Sequence, residues 1–261
     1  MARTVLKFGG TSVADLDRIA NVADIVAARA EKGERMAVVV SAMSGETNKL
    51  VGYAEGAAGD ALPREQFDDE YDVVVASGEQ VTAGLLALAL RRRGLKARSW
   101  LGWQLRLKTN KSHGRARIMG FDDSTLPDAI DAGEIAVIAG FQGVTDDDRV
   151  ATLGRGGSDT SAVAVAAALE ASVCDIYTDV DGVYTTDPRI VPKAQRIEKI
   201  SFEEMLELAS LGAKVLQTRS VEMAMNHNVP VRVLSSFLKP GEPNPGTIVC
   251  SEEEIVEKQV V

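Results

Sequence analysis

The stretch of this sequence richest in groups that could do chemistry is residues 154–161, which read Gly-Arg-Gly-Gly-Ser-Asp-Thr-Ser. Its three glycines permit close approach of the backbone to a ligand and backbone angles that a Cβ would forbid. Ser158 suits the capping position of a helix, and the apolar run 162–169 predicts that this helix is buried on nearly every face. The first N–H groups of a helix lack partners and lie at its positive end, so the loop is predicted to bind an anion.

Two charged residues distinguish this loop from an ordinary strand-to-helix turn, which is the alternative interpretation. Arg155 carries a planar fork of donors that suits a carboxylate or a phosphate. Asp159 would itself repel an anion, so its expected role is to position cations or a reacting hydroxyl. Together they favour a binding site.

Two lysines add positive charge that could meet the same anion. Lys7 ends a predicted strand just before Gly9 and Gly10, whose amides could cradle phosphate oxygens, and Lys214 lies at the start of a predicted helix. Neither the P-loop spacing nor the dinucleotide-binding glycine fingerprint occurs. Phosphoryl transfer needs mainly positioning and charge neutralisation, which these groups could supply. The residues indicate an anionic, phosphorylated ligand and leave the substrate open.

A glycine and a carboxylate lie together inside the predicted helix 71–93. Gly78 weakens a helix relative to alanine, and Glu79 lies beside apolar residues such as Val81 and Leu86. This combination predicts close approach of a ligand. The alternative is a solvated glutamate.

Other chemistries are disfavoured by what the sequence lacks. The only histidines, His113 and His227, are far apart and have no Cys or carboxylate at ligand spacing, so neither zinc nor a Ser-His-Asp triad is expected. The three aspartates at 146–148 are interpreted as a solvated hairpin tip, because adjacent side chains cannot all converge on a metal.

Composition places the chain among soluble globular proteins. Its 261 residues, 45% hydrophobic and 26% charged, suffice for one large domain or two packed lobes. The net charge of −9 argues against nucleic acid as a partner, and the one basic run, 91–93, is expected to end a helix. No secretory signal or membrane-spanning run is recognised, and Cys174 and Cys250 are predicted to be buried thiols, so a cytoplasmic location is expected.

Strands alternate with helices along the chain, which predicts an α/β fold with a mostly parallel central sheet. The strands are predicted at 4–8, 36–40, 135–139, 173–178, 230–234 and, as a closing edge strand, 246–250. Helices are predicted at 15–32, 71–93, 124–132, from Ser201 and at 212–226, whereas 98–113 is irregular or hairpin-like and 251–261 is a charged tail. Ligands collect at the carboxyl ends of such strands, where the turns at Gly9, Ser41, Gly140 and Gly154 are expected.

Seven ordered stretches resemble the catalytic domain of aspartate kinases, within the amino acid kinase superfamily. The resemblance runs from Lys7 to about Cys250, and its most specific part is the opening Lys-Phe-Gly-Gly-Thr-Ser at 7–12. The other stretches are residues 41–43, 77–79, 140–143, 152–159, 178–189 and 212–216. The resemblance implies a three-layer αβα fold with a substrate-binding lobe over about 1–170 and a nucleotide-binding lobe over about 171–250.

The resemblance also implies a reaction, in which MgATP phosphorylates L-aspartate to 4-phospho-L-aspartate at the start of lysine, threonine and methionine biosynthesis. Lys7 and Asp159 would be catalytic, with the Mg²⁺ carried by ATP rather than by a protein metal site. Aspartate would be bound by Ser41, Thr47, Glu79, Arg155 and Ser158. The nucleotide would be bound by Lys7, Gly9, Gly10, Ser12, Thr178, Asp179, Tyr184, Arg189 and Lys214.

One departure from the aspartate kinase pattern concerns regulation. Aspartate kinases of this type normally continue into a pair of ACT domains, and this chain stops about where they would begin. Inhibition by lysine or threonine is therefore not expected of it, and a homodimer is a possible assembly.

Rival functions remain open at this point. An acetylglutamate kinase would have no substrate ammonium for Glu79, and a uridylate kinase would favour more basic groups around the acceptor. A nucleotide or amino-acid sensor of the same fold would not need both Lys7 and Lys214, and an NAD-dependent dehydrogenase would need the missing glycine fingerprint.

Overall fold

The computed structural model describes residues 2–122, 125–213, 215–239 and 241–256. Its strands are β1 Arg3–Phe8, β2 Arg35–Val40, β3 Ala97–Trp100, β4 Leu107–Thr109, β5 Ile118–Phe121, β6 Ile135–Ala139, β7 Gln142–Val144, β8 Val150–Thr152, β9 Val173–Thr178, β10 Lys199–Ser201, β11 Val231–Ser235 and β12 Thr247–Cys250. Its helices are α1 Leu16–Ala30, α2 Glu46–Ala58, α3 Asp68–Arg91, α4 Thr125–Asp131, α5 Gly157–Ala168, α6 Phe202–Ser210, α7 Thr218–Asn226 and α8 Glu252–Val256.

Eight strands form one sheet in the order β10-β12-β11-β9-β1-β2-β6-β3. Every neighbouring pair is parallel except β11 and β12, which confirms a mostly parallel sheet. Because β9 pairs directly with β1, the two predicted lobes share this sheet. The carboxyl ends of β9, β1, β2 and β6 therefore lie side by side, as expected for the ligand-binding edge.

Side chains of the central strands alternate between two apolar cores, one on each face. Val5 of β1 belongs to the core that also contains residues of α4, α5, α6 and α7, whereas Leu6 and Phe8 belong to the core that contains residues of α1 and α3. Alternation with a period of two puts Lys7 on the same face as Val5, toward α5. The helices on both faces confirm the three-layer architecture.

Helices α3 and α5 are buried to different extents. In α5 the consecutive residues 157–166 are all buried, which confirms the prediction of a helix buried on nearly every face, although Ala168 at its end is exposed. By length and composition α3 is the one described helix that could cross a membrane, although no such run was expected from the sequence. Half of the apolar stretch of α3 is buried within the fold, as is common for a core helix.

A small second sheet, β5-β4-β7-β8, lies beside the main sheet. Its hairpin β7–β8 turns through residues 146–148, where Asp146, Asp147 and Asp148 are exposed, as the hairpin-tip interpretation predicted. The segment 98–113, expected to be irregular or hairpin-like, contains most of β3, which is one edge of the main sheet, and β4, which pairs antiparallel with β5.

Several predicted boundaries were wrong near the end of the chain. The strand predicted at the closing edge, β12, is flanked on both sides, because the three-residue β10 pairs with it and forms the edge. The helix expected from Gly212 begins at Thr218, and part of the tail forms α8 over Glu252–Val256. The capping box at Ser201, which opens α6, is confirmed.

Candidate active site

Lys7 and Asp159 form a buried ion pair at the carboxyl edge of the main sheet. The Lys7 Nζ and Asp159 Oδ1 atoms are 2.6 Å apart, and the two side chains are only 10% and 12% exposed. Lys7 comes from the end of β1 and Asp159 from the first turn of α5, so the sheet register brings together two predicted residues. A buried ion pair stabilises a fold little, because removing both charges from water offsets their attraction. The location of this pair at the sheet edge therefore indicates a function.

The turn after β1 fits closely around this pair. A Cβ at Gly9 would lie 3.3 Å from the Lys7 ammonium nitrogen, and one at Gly10 would lie 3.1 Å from the Ala42 carbonyl oxygen. The Ser12 amide donates to the Gly9 carbonyl at 2.9 Å and closes the turn. The glycines thus allow the turn to pack closely against the cation and against the loop after β2.

Helix α5 begins differently from the prediction. Ser158 was expected to cap it, but the cap is Gly156, which has a φ of +72° and gives no side-chain cap, and Ser158 lies inside the first turn. A Cβ at Gly156 would lie 2.4 Å from Cγ of Gln217, so glycine is needed there on both counts. Ser158 is buried against Gly140, where a Cβ would come within 3.0 Å of the Ser158 Cβ.

Arg155 projects from the same loop into solvent. Its side chain is exposed and has no ion pair or hydrogen bond with any residue in the described part of the chain. An exposed guanidinium next to a buried ion pair is available to an incoming carboxylate, which it can bind through two parallel hydrogen bonds.

Glu79 of α3 is buried and only partly satisfied. Its Oε1 accepts a hydrogen bond of 3.0 Å from the Ala42 amide, whereas Oε2 is buried without a partner among the described residues. Burial raises the pKa of Glu79 to about 7, against smaller lowering effects of the Ala42 amide and the Lys7 charge. The alternative of a solvated glutamate is thereby excluded.

Gly78 explains how Glu79 comes so close to the sheet. A Cβ at position 78 would lie 2.9 Å from the Ala42 Cβ, so a glycine lets α3 pack against the loop that follows β2. The same loop holds Ser41, whose amide donates to the Phe8 carbonyl at 3.1 Å. Thr47, half-buried, lies in the first turn of α2 immediately beyond this loop.

The residues predicted to bind nucleotide are not all gathered at the ion pair. Thr178 ends β9 beside β1 and Asp179 follows it, and the Thr178 hydroxyl donates to the Asp179 carboxylate at 3.1 Å. The Tyr184 hydroxyl donates to Asp181 at 3.0 Å, and the exposed Arg189 pairs with Asp187. Lys214 lies outside the described residues.

A second buried carboxylate on α3, Asp72, corrects the expectation that both histidines lack partners. Its Oδ2 atom lies 2.9 Å from Nδ1 of His113, and it also accepts from the Gly114 amide at 3.0 Å and the Thr152 amide at 2.9 Å. These partners are 41 to 80 positions away in sequence, beyond the reach of any local spacing rule.

Chemically, the arrangement combines a buried cation, an exposed guanidinium and an incompletely satisfied carboxylate. Lys7 and Arg155 can neutralise and orient anionic groups, whereas Glu79 can accept from a cationic one. No group of three His, Cys, Asp or Glu residues within the described ranges could hold a metal ion. The geometry suits a zwitterionic substrate beside a phosphate.

This combination of fold and site defines a class of phosphate-handling α/β proteins, and sequence comparison identifies the class. Residues 2–235 match the model of the amino acid kinase family. The match covers most of the chain, which therefore belongs to that family.

Several relatives within the family are close in sequence. The chain is 53% identical over 262 residues to the aspartate kinase of Pseudomonas fluorescens and 48% identical over 261 residues to aspartokinase 2 of Bacillus subtilis. Both alignments cover 100% of this chain and 62% of the relative. The chain thus spans less than two thirds of the length of these curated relatives.

Solved structures of aspartate kinases are also similar to this chain. The Synechocystis aspartate kinase matches with a TM-score of 0.81 and 44% identity over 96% of this chain and 40% of that chain. The E. coli aspartokinase III complex with aspartate and ADP matches with a TM-score of 0.80 and 34% identity, covering 95% and 64% of the two chains. A UMP kinase from Bacillus anthracis, at 16% identity and a TM-score of 0.64, shares the fold.

Proposed function

We propose that this chain transfers the γ-phosphoryl group of MgATP to the side-chain carboxylate of L-aspartate, giving 4-phospho-L-aspartate and ADP. The observation that carries the proposal is the buried pair of Lys7 and Asp159 at the glycine turn, on the same sheet edge as the under-satisfied Glu79. Relatives called aspartate kinases, one of them solved with aspartate and ADP, support this choice of substrates.

In this reaction the substrate carries both signs of charge, and the site offers a partner for each. Glu79 Oε2 would accept from the ammonium of aspartate, and Arg155 would bind its α-carboxylate through two hydrogen bonds. Ser41, Thr47 and Ser158 would complete the aspartate site from the loop after β2 and the first turns of α2 and α5. An acetylated or nucleotide acceptor would leave Glu79 buried without a cationic partner, which disfavours the rival kinases.

Transfer needs no general base, because the attacking carboxylate is already ionised near neutral pH. Its oxygen would form a bond to the γ-phosphorus as the bond to the oxygen bridging the β- and γ-phosphorus atoms breaks, and ADP would leave with that electron pair. Lys7 would stabilise the charge on the transferring group, and Asp159 would hold the Lys7 ammonium in position.

The nucleotide would lie along the ends of β1 and β9. Gly9, Gly10 and Ser12 would face its phosphates, and Thr178, Asp179, Tyr184, Arg189 and Lys214 would complete its site. Mg²⁺ bound by the phosphate oxygens would neutralise their charge, as in other phosphoryl transfers. The division into lobes near residue 170, and a homodimer, stay predictions.

A cytoplasmic location is part of the proposal. Cys174 and Cys250 are both free and buried, which suits a reducing compartment. Burial also raises the pKa of each thiol, so neither is an activated nucleophile.

The experiment that tests the function is ADP release by the purified chain with MgATP and, in separate reactions, L-aspartate, N-acetyl-L-glutamate or UMP. Release with aspartate alone, trapped by hydroxylamine as the hydroxamate, is the expected result. ADP release only with another acceptor would refute the proposal. The absence of ADP release with all three acceptors, when MgATP and aspartate binding are both saturated, would also refute it.

Lys7→Ala tests the proposed catalytic role of the buried cation. We expect kcat to fall by about 10²–10³-fold, the usual cost of removing one group that stabilises transition-state charge, with a much smaller change in the KM for aspartate. Lys96→Ala is the control, because that exposed lysine precedes β3 at the opposite edge of the sheet. An unchanged kcat in Lys7→Ala would remove Lys7 from the mechanism.

A further inference from the structure

Ser236, the residue that follows β11, is fully buried at the same sheet edge. Its backbone amide donates to the Thr178 carbonyl at 2.9 Å, and its own carbonyl accepts from Nδ2 of Asn21 at 2.9 Å. Its hydroxyl lies 2.7 Å from the Ser12 hydroxyl and 3.1 Å from the Thr178 carbonyl. Ser236 thus connects the glycine turn, α1 and the end of β9.

The hydrogen-bond directions in this cluster follow from what each group can do. A carbonyl only accepts, so the Ser236 hydroxyl donates its one proton to Thr178 and must accept from the Ser12 hydroxyl. Its remaining acceptor capacity is used by Nη2 of Arg18, at 3.1 Å. The Ser236 hydroxyl is therefore saturated, and it orients the Ser12 side chain.

The direct backbone link between the glycine turn and β9 is weak by comparison. The Gly9 amide lies 3.4 Å from the Tyr177 carbonyl, at the long end of hydrogen-bonding distances. The shorter chain of contacts runs from Ser12 through Ser236 to Thr178. The pairing of β1 with β9 ends at Phe8 and Tyr177, so beyond that point the Ser236 side chain is a further link between the turn and the end of β9.

We propose that Ser236 is a positioning residue, which holds the turn at residues 9–12 and the end of β9 in the arrangement that binds nucleotide phosphates. This inference rests on the proposed kinase function, because that function places the phosphates at the turn. The loss of Ser236 should therefore weaken the binding of MgATP and not that of aspartate, since the Ser236 hydrogen bonds reach neither Glu79 nor Arg155.

The test is Ser236→Ala, studied by calorimetric binding of MgATP without aspartate and by steady-state kinetics. We expect the Kd and KM for MgATP to rise about tenfold, the scale set by one buried donor left without its acceptor, and the KM for aspartate to stay within about twofold. Ser235→Ala is the matched control: Ser235 is also buried, but among the described residues its hydroxyl accepts only from the amide of Phe237, within its own loop.

The outcomes separate this inference from the proposed function. If the unaltered chain binds MgATP but does not phosphorylate aspartate, the kinase proposal fails while the ratio of MgATP Kd values still tests Ser236. A Kd in Ser236→Ala within about twofold of the unaltered chain would overturn the inference, as would equal rises in both KM values, which indicate a general loss of structure.

A second variant tests the same hydrogen bond from its donor side. Ser12→Ala removes the same hydrogen bond from the other side and leaves the contacts of Ser236 with Arg18 and Thr178 in place. It should raise the Kd for MgATP to a similar extent, and the double variant should add little to either single one. Additive effects in the double variant would contradict a shared route through the Ser12–Ser236 contact.

Discussion

Two buried carboxylates lie seven positions apart on α3, and their surroundings differ sharply. Asp72 accepts from the Gly114 and Thr152 amides, the Thr152 hydroxyl and His113, so both of its oxygens are used. Glu79 accepts from the Ala42 amide through one oxygen, and the other is buried without a partner within the described ranges. Both side chains are buried, at 0% and 3% exposure.

The difference shows how to separate a carboxylate that stabilises the fold from one that waits for a ligand. Buried polar groups in native proteins are almost always satisfied, so an unsatisfied one needs a reason. Asp72 fastens α3 to β8, which leads into the glycine-rich loop, and to the loop at 113–114. Glu79 faces the sheet edge and keeps an acceptor for the proposed substrate ammonium.

The largest effect that would sharpen this comparison is expected for Asp72→Asn. The amide keeps the shape but replaces one acceptor by a donor among the four groups that donate to Asp72, so we expect a loss of about 3 kcal/mol in the free energy of unfolding. Urea denaturation measures it. Glu70→Gln is the control, because Glu70 is in an exposed pair with Arg149 whose loss should cost less than about 1 kcal/mol. Equal losses in the two variants would contradict a structural role peculiar to Asp72.

The fold was largely predictable because its signals are local. The apolar runs of β2, β6 and α5 and the capping box at Ser201 each lie within a few residues, and each formed the predicted element. The failures lie where local signals are absent. Three residues make β10, too few for a pattern, and its pairing with β12 depends on residues about 50 positions away.

The site was predictable only in part, for a similar reason. The resemblance named Lys7, Asp159 and Glu79, and the structure brings Lys7 and Asp159 into contact. Asp72 and Ser236 were missed, because their partners lie up to 80 and 224 positions away and a single Ser or Asp carries no spacing signal. For Asp72 a usable clue was its position, seven residues before Glu79 on the same helix face.

The next effect concerns the stability cost of Glu79. Its pKa rises from the ordinary 4.5 to about 7, so the folded chain binds more protons than the unfolded chain between these values and loses stability as the pH rises through them. Glu79→Gln does not titrate there. Relative to the unaltered chain it should gain up to about 3 kcal/mol of unfolding free energy between pH 4.5 and pH 8.

Urea denaturation at both ends of that pH range measures this gain, with Glu70→Gln as the exposed control on the same helix. Glu79→Gln should also bind aspartate more weakly, because a neutral amide cannot form an ion pair with an ammonium. A gain in stability that is the same at both pH values would contradict the shifted pKa, since removal of an untitrating group has no pH dependence.

The smallest expected effect is the pH dependence of aspartate use by the unaltered chain. If Glu79 must be ionised to bind the ammonium, kcat/KM for aspartate should decrease as the pH falls below the Glu79 pKa of about 7. At pH 6 it should be roughly one tenth of its value on the high-pH plateau. The corresponding kcat/KM for MgATP at saturating aspartate should change much less, because bound ammonium favours the ionised carboxylate and lowers its pKa. A constant kcat/KM for aspartate from pH 6 to pH 8 would place the ammonium elsewhere and remove the functional side of the contrast with Asp72.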